Sequence, residues 1–492
     1  MQENSENKPK VRVRFPPSPT GFLHVGHART ALYNYLFAHI NNGDLVLRIE
    51  DTDVARYSSE GEKDIFESLK WLGLSWNEGP DIGGPNAPYK QSERTSKYSE
   101  KIKQLLQDGK AYRCFCSQER LDKMREIAEM EKKSFKYDKT CRVLTLEESD
   151  MRAEKENFVV RLKVDLGETI VFDDLVRGNV KFSSDMVDDF VISKGDNQAL
   201  YHLAVVIDDA EMGITHIIRG EDGLSNTPKH ISLQKALGYV TPRYAHLPLI
   251  LDEKKKKLSK RSGDVVLTLK SLREDQGYLP ETLLNAVALL GWNPKTEQVV
   301  FTLEELKAAF KLENVQKAGA VFSLDRLNWL NKQHIKRLSA EDLMERSKPF
   351  INKSGIEIDR GFLLKIIRVE KERITLLKEI PQLVLDITNE PVLDTEKIPW
   401  KNDGKDRAKD ALAVLIEEIG ILPMEVWSDL LVLQTKIMEI VDKTEMGRAT
   451  TLWPMRYALS GKENSAGPHE LAWLLGKPET IKRMREAVVQ LG

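Results

Sequence analysis

Two short stretches of this chain carry residue types suited to handling phosphate. In His24-Val25-Gly26-His27 two imidazoles stand three positions apart, so on a helix both can face one anion, and Gly26 lets the backbone approach it. If the stretch opens a helix, the partial positive charge and free N–H groups of the first turn add to the attraction. The plainer reading is a strand–turn–helix joint with two surface histidines. In Lys257-Leu258-Ser259-Lys260-Arg261, followed by Ser262-Gly263, two lysines flank a small hydroxyl. They form a mobile cationic clamp of the kind a departing pyrophosphate needs. The plainer reading there is a solvated basic run that continues Lys254 to Lys256. The third group is Cys114, Cys116 and Cys141, the only cysteines in 492 residues. Three thiolates so close in sequence suit a tetrahedral structural zinc that needs a fourth ligand; otherwise they are three reduced thiols. No Walker-type phosphate loop and no dinucleotide-binding glycine fingerprint occurs, so a nucleotide must be held by other means.

These residues need a scaffold. Val11, Val13 and Phe15 alternate with Arg12 and Arg14, which predicts a half-buried strand ahead of the loop PPSPTGFLHVGH at 16–27. A helix is expected over Ala28 to Ile40, ended by Asn41-Asn42-Gly43, and a strand over Leu45 to Ile49. Strand, loop, helix, strand is the order of a βαβ unit with a parallel sheet. A second such region, LAVVIDDAEMGITHIIRGED at 203–222, holds two apolar β-branched runs separated by a polar turn. Residues 91–198 differ in character, with charged helices such as Ser117 to Lys133, and read as an insertion. In the last third Ala408, Ala411, Leu412, Leu415, Ile416 and Ile419 share a helical face, with Gly420 where a C-cap belongs. Trp427, Leu430, Leu431, Ile437 and Val441 predict the next helix. The expected fold is an α/β N-terminal half, a split Rossmann parallel sheet with an α+β insertion, followed by an all-α C-terminal third.

Composition narrows the function classes. Hydrophobic residues at 41% supply several cores, which excludes a disordered or fibrous chain. No apolar stretch is long enough for a membrane span, and the polar start MQENSENKPK reads as a flexible tail over 1–10. Three cysteines exclude a disulfide scaffold and fit a reducing, cytoplasmic setting. A net charge of −2 argues against a non-specific nucleic-acid coat, but not against a specific RNA partner.

Taken in order, FPPSPTGFLHVGHARTALYN, RGEDGLSNTPKH at 219–230 and KKLSKRSGD resemble the HIGH and KMSKS signatures of class I aminoacyl-tRNA synthetases. Ser18-Pro19-Thr20-Gly21 and LRIEDTD at 47–53 narrow the resemblance to bacterial-type glutamyl-tRNA synthetase. FSLDRLNWLN at 322–331 and WPMRYALSG at 453–461 extend it over nearly the whole chain. The resemblance implies activation of L-glutamate by ATP with Mg²⁺, then transfer to tRNA(Glu), with tRNA(Gln) a second candidate acceptor, by a monomer. His24, His27, Lys257 and Lys260 would be catalytic. Gly26, Glu221, Lys257, Ser259 and Lys260 would hold ATP. Arg14, Ser18, Glu50, Tyr201 and Arg219 would line the glutamate pocket. A strand-end guanidinium such as Arg14 pairs with a carboxylate but meets clashing donors on an amide. Val205 stands where some members carry a pocket asparagine. Tyr137 takes the position of a fourth zinc ligand beside Cys114, Cys116 and Cys141, whereas Arg142 and Val143 stand where other members have a histidine. Arg373 aligns with an arginine that reads the anticodon. The implied domains are a split catalytic domain over 11–90 and 199–246, an acceptor-binding insertion over 91–198, and a stem-contact domain over 247–338. Two helical anticodon-binding domains, 339–398 and 399–492, complete the chain. Glutaminyl-tRNA synthetase resembles PPEPNG at the first loop and ends in β-barrels, whose alternating strands are missing here. A catalytically dead tRNA-binding scaffold would not be expected to keep both phosphate motifs.

Overall fold

The computed structural model describes residues 9–133, 135–165, 167–258, 261–262 and 265–492. Ser259 and Lys260, and the expected tail over 1–8, lie outside them. The chain divides into two compact units, one of residues up to Glu274 with Pro280–Leu327, the other of Asp275–Leu279 with Asn328–Gly492.

The first unit opens with β1 (Arg12–Phe15), α1 (Val25–Ile40) and β2 (Asp44–Leu47), then α2 (Ser59–Trp71) and α3 (Thr95–Gln107). β3 (Ala111–Cys114), α4 (Gln118–Met130), α5 (Leu146–Ala153) and β4 (Val159–Leu162) follow. Next come the hairpin β5 (Thr169–Asp174) and β6 (Gly178–Ser183), then β7 (Val191–Lys194) and β8 (Gln198–Ala199). α6 (Tyr201–Glu211), β9 (His216–Gly220), α7 (Thr227–Leu237) and β10 (Arg243–Leu247) complete the part that frames the site. β1 pairs with β2, and β9 with β10, both parallel. The Thr215 N–H donates to the Arg12 carbonyl (3.0 Å), so β1 and β9 start at the same edge and their C-terminal ends point the same way. The insertion supplies its own antiparallel sheet in the order β3-β4-β7-β8. It also sends the β5–β6 hairpin back to lie beside β10, with Asp174 opposite Tyr244.

Three sequence expectations change. β1 is not half-buried: Arg14 is only 2% exposed, because helices cover both faces of a parallel sheet and alternation loses its meaning there. The first apolar run of 203–222 is helical, as α6, and only the second is a strand. α1 begins at Val25, three residues before the expected start, because His24 caps it.

The second unit is all helix among its described residues. From residue 340 its α-helices are Ala340–Ser354, Arg360–Glu370, Ile380–Thr388, Lys405–Gly420, Leu430–Lys443, Arg448–Ser460 and Pro468–Leu491, the last bent at Gly476 where φ is 73°. Ala408, Ala411, Leu412, Leu415 and Ile419 are buried on one face, as their spacing predicts, with Ile416 at its margin. Gly420 is the last helical residue and not the cap, which is Ile421. Trp427 precedes the next helix rather than lying in it, and Leu431 is exposed. Asp429 caps that helix, its carboxylate accepting from the Leu431 and Val432 N–H groups, so the first turn faces solvent. No helix among the described residues is long and apolar enough to cross a membrane.

Candidate active site

The site lies where the parallel strands end, the usual ligand edge of an open α/β sheet. His24 caps α1: its Nδ1 accepts from the Gly26 N–H (3.0 Å), while His27 Nδ1 accepts from the His24 N–H (3.3 Å). Both Nδ1 atoms therefore accept backbone N–H groups. The rings stack with centroids 3.9 Å apart. Gly26 is needed for this geometry, since a Cβ there would lie 2.9 Å from His24 Cε1. A cavity of about 300 Å³ opens beside the cap, lined by His24, Gly26, His27, Arg29, Glu221 and Lys257 among others. The histidine cap and the basic stretch, 230 positions apart in the chain, thus share one cavity. Lys257 is exposed and 3.7 Å from Asp222. Glu221 is engaged by Arg177 (2.6 Å) and by the Leu249 N–H. Beyond the basic stretch the chain returns to the cap: the Leu269 N–H donates to the Leu23 carbonyl (2.8 Å), and Thr268 bridges to His24. On the other side the buried carboxylate of Asp64 accepts the Leu23 N–H (2.8 Å).

Next to this cavity lies a buried cluster of alternating charge. Arg14 Nε meets Asp209 Oδ1 at 3.1 Å, and Arg48 reaches Asp209 Oδ1 (2.8 Å) and Glu50 Oε1 (3.1 Å). Burial pushes the Asp209 carboxyl up, but the guanidinium groups of Arg14 and Arg48 outweigh it and hold the group below the usual range. Glu50, with less compensation, is raised by its burial. Arg14 Nη1 is buried without a hydrogen-bond partner among the described residues. An arginine donor so placed suits an incoming carboxylate. Tyr201, at the start of α6, feels the charges of Glu50, Arg219, Arg14 and Asp209. Ser18 is exposed on the loop after β1. Val205 is buried in α6. Arg48 and Asp209 are not singled out by residue spacing. Their signal is a charge inside an apolar run: the Asp208-Asp209 pair interrupts LAVVI, and Arg48 interrupts LVLRI.

Arg219, in β9, is held differently. Among the described residues it has no carboxylate within ion-pair distance; its donors go to His246 Nε2 (3.1 Å), His230 Nδ1 (3.4 Å) and Thr227 Oγ1 (2.8 Å). Burial lowers its pKa.

In the insertion the three thiol sulfurs lie within 4.8 Å of one another. Cys116 and Cys141 are 3.8 Å apart. Two sulfurs each about 2.3 Å from a tetrahedral zinc would stand about 3.8 Å apart, so the spacing fits. The Tyr137 hydroxyl sits 3.3 Å from Cys114 Sγ and 3.4 Å from Cys116 Sγ, and accepts the Cys141 N–H. Burial raises the Cys114 thiol, but hydrogen bonds from Tyr137 and Arg161 outweigh it and leave the group below its ordinary value. Arg142 is used elsewhere, on Asp189.

In the helical unit Arg373 is half-exposed, 3.6 Å from Glu370 and 3.5 Å from Glu470. It lines a polar cavity of about 570 Å³ together with Lys332, Asp386, Arg456 and Lys462. Arg456 was not singled out from the sequence, although it lies inside WPMRYALSG.

Comparison with known proteins agrees with this geometry. The family model for class I tRNA synthetases (E and Q), catalytic domain, matches residues 10–329, and an anticodon binding domain matches 342–488. Glutamate–tRNA ligase 2 of Caldicellulosiruptor saccharolyticus is 41% identical over 483 residues, 96% of this chain and 98% of that protein. The glutamate–tRNA ligase of Carboxydothermus hydrogenoformans is 40% identical over 486 residues, 96% of this chain and 99% of that one. The crystal structure of a glutamate tRNA ligase from Elizabethkingia meningosepticum in complex with its amino acid superposes with a TM-score of 0.89 at 36% identity, covering 98% of this chain and 100% of that one. The chain belongs to the glutamate–tRNA ligase family of class I tRNA synthetases.

Proposed function

We propose that the protein activates L-glutamate with ATP, releasing pyrophosphate, and transfers the glutamyl group to the 3′-terminal adenosine of tRNA(Glu). The observation that carries this reading is that His24, His27 and Lys257 line one cavity at the strand ends, beside a buried arginine with an unpartnered donor. In the first step a glutamate carboxylate oxygen attacks the α-phosphorus in line, and the bond to the pyrophosphate oxygen breaks. That chemistry needs mainly placed positive charge. The imidazoles of His24 and His27 and the backbone at Gly26 serve the phosphates. Lys257, with Ser259 and Lys260 from the same stretch, neutralises the leaving pyrophosphate, and Glu221 borders the nucleotide. Both cavity carboxylates face cations, Arg177 and Lys257, which suits a Mg²⁺ carried by the phosphates rather than by a protein cage. Arg14 and Arg219 bind glutamate's carboxylates, Glu50 its ammonium, and Ser18 and Tyr201 close the pocket. In the second step the ribose 2′-hydroxyl of the tRNA attacks the activated carbonyl and the adenylate's phosphate oxygen leaves.

The same reading assigns the split domain 11–90 and 199–246 to catalysis, 91–198 to the acceptor end and 247–338 to the stem. It gives 339–398 and 399–492 to the anticodon, with Arg373 contacting a base. Cys114, Cys116, Cys141 and Tyr137 hold a structural zinc that stiffens the insertion. The enzyme works as a cytoplasmic monomer.

The test is ATP–pyrophosphate exchange and charging with purified tRNA(Glu) and tRNA(Gln). Exchange that requires L-glutamate is expected, with charging of tRNA(Glu); charging of tRNA(Gln) as well would extend the substrate range. Exchange supported by glutamine instead, or by no amino acid, would overturn the reading.

A further inference from the structure

Arg219 is a half-buried cation with a long side chain and no carboxylate to fix it among the described residues, yet its donors are all placed. Its Nε donates to His246 Nε2 at 3.1 Å, and the other ring nitrogen of His246 meets Asp174 Oδ2 at 2.6 Å. His246 is 0% exposed and Asp174 3%. The protonation follows from the partners. A carboxylate can only accept, so Nδ1 carries the proton; Nε2 is then a lone pair, the one form that can receive the Arg219 N–H. The Thr227 hydroxyl lies 3.1 Å from the same Nε2 and accepts from Arg219 Nη2 at 2.8 Å. Asp174 is itself held by four N–H contacts: Val176 (2.9 Å) and Arg177 (2.8 Å) donate to its Oδ1, and the His246 N–H reaches both of its oxygens. This carboxylate belongs to the end of β5, within the insertion, and reaches the catalytic sheet only because the β5–β6 hairpin lies beside β10. The chain of bonds therefore runs from the inserted segment through β10 to the guanidinium in β9.

We propose that Asp174 and His246 are positioning residues for glutamate recognition: the carboxylate fixes the imidazole tautomer, and the imidazole orients Arg219 without neutralising it. An acid paired directly with Arg219 would compete with the substrate's carboxylate, whereas a neutral acceptor leaves the full charge available. The relay rests on the reading that Arg219 contacts glutamate, and it makes a specificity residue depend on the insertion.

The experiment is aminoacylation of tRNA(Glu) by the full-length enzyme, with KM for glutamate and KM for ATP measured separately, for four variants whose thermal melting is also recorded. His246→Phe removes the acceptor, and His246→Gln restores one through its side-chain oxygen. Asp174→Asn presents an NH₂ to one neighbour; facing His246, it shifts the ring proton to Nε2, where it opposes Arg219. Arg219→Lys tests the underlying reading. The expected result is a glutamate KM raised at least tenfold in His246→Phe and Asp174→Asn, with the ATP KM within twofold of the parent. His246→Gln should recover most of the loss, and Arg219→Lys should raise the glutamate KM as well. If Arg219→Lys raises the glutamate KM while His246→Phe and Asp174→Asn leave it unchanged, the positioning role is refuted and the pocket stands. If Arg219→Lys has no effect, the pocket reading itself falls, and the relay with it. Equal increases in both KM values, unrescued in His246→Gln, would reduce the pair to a structural role and also overturn the proposal. Should His246→Phe fail to fold, Asp174→Asn and His246→Gln decide between the same outcomes.

Discussion

Replacing Arg14 by Gln isolates one charge in the proposed glutamate pocket. Arg14 is 2% exposed; its Nε is used by Asp209, and its Nη1 is buried with no partner among the described residues. Asp209 keeps its 2.8 Å contact to Arg48, so the substitution does not strand a buried carboxylate. The structural cost is therefore that of one charge-assisted hydrogen bond, about 1.5–3 kcal/mol, and not the larger loss that follows a broken isolated pair. The same range applies to the bond lost to the substrate's carboxylate. At about 1.4 kcal/mol per decade it raises the glutamate KM about 10- to 150-fold. The ATP KM should stay within about twofold, and the preference for glutamate over glutamine should narrow, because an amide side chain no longer rejects an amide substrate. Steady-state charging with both amino acids measures this, with a melting curve to confirm folding. A folded Arg14→Gln enzyme with an unchanged glutamate KM and unchanged preference would refute the assignment of Arg14.

Three further predictions concern other parts of the molecule. Gly26→Ala should leave the melting temperature close to the parent's, since alanine's helix preference of up to about 1 kcal/mol offsets a lost cap bond of about the same size, yet lower the activation rate at least tenfold because the new Cβ displaces the His24 ring; full activity would contradict the role of the cap. Protein expressed with zinc should carry close to one zinc per chain, and Cys141→Ser should lose most of it and melt earlier; Co²⁺ added to the metal-free protein should give a thiolate charge-transfer band, and a flat spectrum would remove the zinc site. Burial, with Lys229 and Arg219 nearby, lowers His202 to about 4. Between pH 6.5 and 4 the unfolded imidazole binds a proton that the folded one refuses, so stability is full above pH 6.5 and falls as the pH drops, by about 1.4 kcal/mol at pH 5.5 and about 3 kcal/mol at pH 4. Urea midpoints at pH 7.5 and 5.5 should show this loss, and His202→Asn should make it smaller, leaving the share of the other lowered histidines; an identical pH dependence in the variant would rule it out.

The sequence by itself determined the two short motifs that line one cavity, the cluster of cysteines and the helical last third. Each is a local property. A histidine cap is written within four consecutive residues, two of the three thiols are separated by a single residue, and a helical face repeats within one helix. What only the tertiary structure decided was which charges meet. Arg14 finds Asp209 across 195 positions and Arg48 finds the same carboxylate across 161, while Asp174 reaches His246 across 72. No local pattern announces such pairs, because each partner is specified only by the sheet that brings them side by side. The same physics misled the periodicity at β1 and α6. A strand covered on both faces does not alternate, and a short apolar run has the same composition as helix or as buried strand until its neighbours choose.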